Sequence, residues 1–216
     1  MQKNRNQDKL PIGYYEYREL VKKRLLYQEI VEVFYIINGN TEKKYDFLDL
    51  CIPLGYPFHG KNWEQNKDAQ THIMNSKILF RLKNKGIIGI LPTKKWTTSP
   101  YKYALDILQK GEQTISPTSQ SINVSETIFW KENIEKKIIQ VDVYWLGKQD
   151  GMPMALKITF STQESMWIAL VEMGVSEMTD MYCTEFMTLF FSEKTQAELA
   201  DFNLLSEIAT YIDIIK

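Results

Sequence analysis

The chain has 216 residues, 44% hydrophobic, 25% charged and 12% aromatic, with 26 Lys+Arg against 27 Asp+Glu. That length holds one large or two small domains, and the balance of apolar and charged residues is that of a folded globular chain rather than a disordered one. No run approaches the roughly 18–20 apolar residues of a membrane span, and Met1–Leu10 is too polar for a secretory signal, so a cytoplasmic protein with no membrane partner is expected. Cys51 and Cys183 form no CxxC pattern and His59 and His72 are the only histidines, which argues against a disulfide framework and a dedicated zinc site.

The near-zero net charge hides an asymmetry. Residues 1–115 carry 19 Lys+Arg against 12 Asp+Glu, net +7, and residues 116–216 carry the remaining 7 against 15, net −8. The change falls at the Ser/Thr/Gln-rich stretch Ile115–Ser121, which reads as part of a linker over 112–124 between domains at 14–111 and 125–216. A basic half of this kind suits a polyanionic partner.

In chain order, Leu20, Leu25, Leu26, Ile30, Val33, Phe34 and Ile37 have helical spacing and predict one long helix over Tyr14–Ile37, stopped by Asn38-Gly39. A short helix over Thr41–Leu50 follows, ended by Pro53 and Gly55. From Asn66 another helix is predicted, with Ile73, Met74, Ile78, Leu79 and Leu82 inward, a polar basic face outward, and Gly86 at its end. Ile87–Leu91, a turn at Pro92–Lys95 and Trp96–Thr98 read as a hairpin with a cationic tip. Ser99, Pro100 and Gly111 frame a helix over Tyr101–Lys110.

In the second half the pattern predicts a helix at Ser125–Lys136, strands at Ile138–Leu146 and Met154–Phe160, and a buried helix at Met166–Met173 behind a Ser161/Glu164 capping box. A strand at Glu185–Phe191, a helix from Thr195 to about Ala209 and a last strand at Tyr211–Ile215 complete it. No internal repeat is evident. The fold class expected is α+β, a winged helix followed by an α/β domain with a small mixed sheet.

The order helix, helix, helix, hairpin, helix over Tyr14–Lys110, with the step Leu82-Lys-Asn-Lys-Gly86-Ile-Ile and then Lys94-Lys-Trp96-Thr-Thr, resembles a winged helix-turn-helix domain. The resemblance implies that Gln70, Thr71 and Asn75 face base edges, while Lys67, Lys77, Arg81, Lys94 and Lys95 neutralise phosphates of double-stranded DNA. Trp63 and Trp96 are candidates for stacking on bases or for the core.

The second half resembles the restriction-endonuclease-like, or PD-(D/E)XK, superfamily, on Val141-Asp142-Val-Tyr-Trp145-Leu and Pro153-Met-Ala-Leu-Lys157-Ile-Thr159-Phe-Ser161-Thr162. Such a domain uses an Asp on one strand and an acidic residue with a Lys on the next to hold magnesium and activate water. Here Asp142 and Lys157 take the catalytic places and Glu126 or Glu135 from the preceding helix stands as a second metal ligand, but position 155 is Ala and position 159 is Thr, so one acid of the motif is missing. No Walker loop, GxGxxG, nucleophile elbow or second-half histidine offers another chemistry.

The acidic exterior and the methionines of this half, Met152, Met154, Met166, Met173, Met178, Met181 and Met187, suit a protein partner or core filling. Three readings stand: a DNA-binding accessory protein with a non-cleaving nuclease-like domain, placed by resemblance in a restriction or defence complex and needing no cofactor; a magnesium-dependent DNA endonuclease; and a protein-binding adaptor.

Overall fold

A computed structural model describes residues 13–37, 71–74, 77–97, 103–109, 120–147, 151–171, 187–192 and 209–216. Within them the chain is predominantly β. Helix α1 (Tyr14–Arg24) leads into β1 (Ile30–Ile37), β2 (Thr71–Met74), β3 (Lys77–Leu82), β4 (Ile87–Thr93), β5 (Ala104–Gln109) and β6 (Gln120–Asn123). Helix α2 (Ile128–Asn133) then precedes β7 (Ile138–Leu146), β8 (Met152–Phe160), β9 (Ser165–Ala169), β10 (Met187–Phe190) and β11 (Tyr211–Ile215). The strands form a five-stranded sheet in the order β5-β4-β3-β1-β6 and a six-stranded sheet in the order β11-β7-β8-β9-β10-β2, and every pairing is antiparallel.

This overturns the expected winged helix plus α/β domain, and the reasons are local. Met166, Ile168 and Leu170 join one core cluster while Trp167, Ala169 and Val171 join another, so the apolar run read as a buried helix is a strand covered on both faces. In β1 a register shift between Ile30 and Glu32 places Ile30 and Val33, three apart, in the same core; that bulge imitates helical spacing. The helix predicted from Asn66 is replaced by β2 and β3, with Ile78, Phe80 and Leu82 alternating inward, and the helix at Tyr101–Lys110 by β5, with Leu105 and Ile107 inward. Trp96 lies in a turn rather than a second hairpin strand, and Gln120–Asn123, inside the segment read as a linker, is β6. Strands β7 and β11 match their expected spans. The helices expected at Thr41–Leu50 and from Thr195 lie outside the described residues.

The two sheets are two copies of one unit. The β1–β3 register sets Ile30 against Leu82, Glu32 against Arg81, Val33 against Phe80 and Phe34 against Leu79; β7–β8 sets Ile138 against Phe160, Gln140 against Thr159, Val141 against Ile158 and Asp142 against Lys157, with a shift at the same place. The β3–β4 and β8–β9 turns bond alike, Leu82 N to Gly86 O at 2.8 Å and Phe160 N to Glu164 O at 2.9 Å. Their third residues, Lys85 and Gln163, both have left-handed backbones, with φ of 66° and 73°. Ladders β4–β5 and β9–β10, and β1–β6 and β7–β11, keep the same correspondence.

An approximate two-fold passes through the antiparallel bridge between Glu29 and Lys137. Around it Tyr27 N donates to Ile138 O and Glu135 N donates to Ile30 O, both at 2.8 Å. Strand β2, which extends the second sheet by pairing with β10, is the main departure from this order.

Inner-facing residues of both sheets, Val33, Tyr35, Phe80 and Ile90 with Val141, Val143, Ile158 and Ile168, meet in a single hydrophobic core. The helices tie the sheets together. Arg18 of α1 pairs with Asp213 on β11 and Arg24 donates to the Ile107 carbonyl on β5. Trp130 of α2 packs on Phe80 and donates to the Tyr35 hydroxyl at 3.3 Å, while its neighbour Phe129 packs on Phe160. The Tyr35 hydroxyl also meets His72 Nδ1 at 2.8 Å, so β2 is joined to the first sheet by a buried polar chain.

Candidate functional site

The repeated unit gives an internal control on which side chains the fold requires. On the face of the first sheet away from the shared core, one row runs Phe34, Leu79, Gly89 and Leu108; its equivalent in the second sheet runs Asp142, Lys157, Trp167 and Phe190. Directly opposed residues on antiparallel strands project to the same face, so the register brings the sequence-predicted Asp142 and Lys157 side by side. The same architecture is built elsewhere in this chain with Phe34 and Leu79. The charged pair is therefore a specialisation of the second unit rather than a requirement of the fold.

Asp142 is 7% exposed. Burial holds its carboxyl above the usual carboxylate range, with Asp213 adding to the rise, against the opposing pull of the Gln140 hydrogen bond, Lys157 and Lys216. Gln140 Nε2 donates to Asp142 Oδ1 at 2.8 Å. Lys157 Nζ lies 4.7 Å from the centre of the Trp167 ring, whose buried Nε1–H meets no acceptor among the described residues. In the next row Thr159 and Ser165 hydroxyls share a 2.9 Å hydrogen bond. Gln140 and Trp167 carry no motif signal; they are found only once the strand register is known.

A hard dication takes several fixed oxygen ligands. Here the Asp142 carboxyl faces the Lys157 ammonium group, Glu126 is exposed on the turn between β6 and α2, and Glu135 holds the left-handed turn before β7. Among the described residues no group of three His, Cys, Asp or Glu side chains lies close enough to hold a metal. The row does not fit a magnesium centre.

The residues predicted to read DNA do not share a helix. Thr71 is on β2, and Lys67, Gln70 and Asn75 lie outside the described residues, as do Trp63 and His59. Lys77 is nearly buried on β3, and burial lowers its pKa; Arg81 is tied to Glu32. Lys94 and Lys95 remain on an exposed turn after β4, their ammonium groups 5.0 Å from the Tyr103 ring and 4.6 Å from the Trp96 ring. Trp96 is occupied structurally: its Nε1 donates to Asp106 at 2.7 Å and its ring packs on Tyr17.

A shallow cavity of about 280 Å³ lies beside the two-fold, lined by Tyr27, Gln28, Glu29, Lys83 and Asn84. Tyr27 is exposed and has φ of 62°, a conformation that in a non-glycine residue often marks a functional site. Its equivalent Glu135 has φ of 61°, so the left-handed turn serves the fold in both units.

Comparison with protein-family models, curated proteins and solved structures gives no match. No helix among the described residues is long and apolar enough to cross a membrane.

Proposed function

We propose that this chain is a non-catalytic DNA-binding protein whose basic first unit engages the phosphate backbone and whose acidic second unit faces a protein partner. The observation that carries the reading is the charge split of the sequence, net +7 over residues 1–115 and −8 over residues 116–216. A basic half of this kind suits a polyanion, and an acidic half disfavours one. In the first unit the exposed Lys94–Lys95 turn carries two cations, Lys95 also lying 4.0 Å from the Asp106 carboxylate, and Lys85, exposed on the β3–β4 turn, lies at the other end of β4. At about 3.4 Å per residue these two tips stand roughly 20–24 Å apart, a span matched by an extended polyanion rather than a small anion.

The test is binding to duplex DNA across a salt series. Affinity is expected to fall as salt rises, and Lys94→Glu with Lys95→Glu is expected to weaken binding at least about tenfold and to reduce the salt slope by about 2, since each phosphate contact contributes roughly 0.9. Salt-insensitive binding, or binding untouched by the double reversal, would remove the reading. Magnesium-dependent cleavage lost in Asp142→Ala would overturn its non-catalytic half.

A further inference from the structure

No further inference is drawn: the strongest candidate, the shallow cavity beside the two-fold lined by Tyr27, Gln28, Glu29, Lys83 and Asn84, has its polar side chains engaged with one another, Lys83 with Glu29 and Asn84 with Gln28, and nothing in the structure shows what would occupy it.

Discussion

The first and second units share their strand order, bulge position, hairpin geometry and left-handed turns, yet place Phe34 and Leu79 where the other has Asp142 and Lys157, and Asn123 where the other has Ile214. What is common marks what the architecture needs: Val33 with Val141, Phe80 with Ile158 and Ile90 with Ile168 fill one core from both sides. What differs at equivalent positions is free of that demand. The comparison thereby turns a single chain into its own reference, and it shifts attention from the turn at Tyr27, which both units possess, to the row at Asp142, which only one does.

The largest effect is expected where the two units depend on each other. Trp130 is fully buried and touches Phe80 of one unit and Phe191 of the other. Trp130→Ala should cost about 3–5 kcal/mol, read from urea denaturation, and the wild-type transition should be a single one because the core is continuous. Two separable transitions would show that the units fold independently and would break the comparison at its base.

A smaller effect tests the specialised row. Lys157→Leu alone leaves Asp142 in a buried setting with one fewer cation, and should destabilise by about 1–2 kcal/mol at neutral pH. Adding Asp142→Phe recreates the row of the first unit and should restore or exceed wild-type stability in chemical denaturation. A double variant as unstable as the single one would mean that the pair is a structural necessity after all.

Asp142 also has a pH signature. Its folded pKa lies above the ordinary carboxylate value, so the native state binds its proton more tightly and the group's contribution favours folding below about pH 4 and is lost as pH rises through the raised folded value. Asp142→Asn should flatten that part of the stability profile, and an unchanged profile would contradict the burial of this carboxyl.

The smallest effects test the equivalence of the turns. Lys85→Gly and Gln163→Gly each relieve a left-handed non-glycine backbone, and each should raise stability by up to about 1 kcal/mol. Matching gains in thermal midpoint would confirm that the two hairpins are the same device, and opposite signs would deny it.

Much of the second half was legible. Ile138–Leu146 and Tyr211–Ile215 are β-branched and aromatic strings whose spans the structure reproduces, and the pairing of Asp142 with Lys157 was sought on adjacent strands and found there. The first half misled because its patterns serve two readings: the bulge in β1 spaces Ile30 and Val33 as a helix would, and Lys77–Leu82 is buried at every position but Arg81, so its apolar residues show no strict alternation. The repeat escaped notice because its period is not constant. Residues 38–76 separate β1 from β3, whereas only 147–151 separate β7 from β8, and few equivalent positions keep the same residue.

By itself the sequence determined the opposed charges of the two halves, the strands whose alternation is uninterrupted, and the Asp and Lys of the polar row, because charge and local period are properties of the chain alone. Only the tertiary structure decided that apolar runs are strands buried on both faces, that two differently spaced segments form one repeated unit, and that Tyr211 and Ile214 are exposed on the last strand of the second sheet among the described residues. Those features depend on which strands lie side by side, and hydrogen-bond register between distant segments leaves no fixed spacing for a sequence to display.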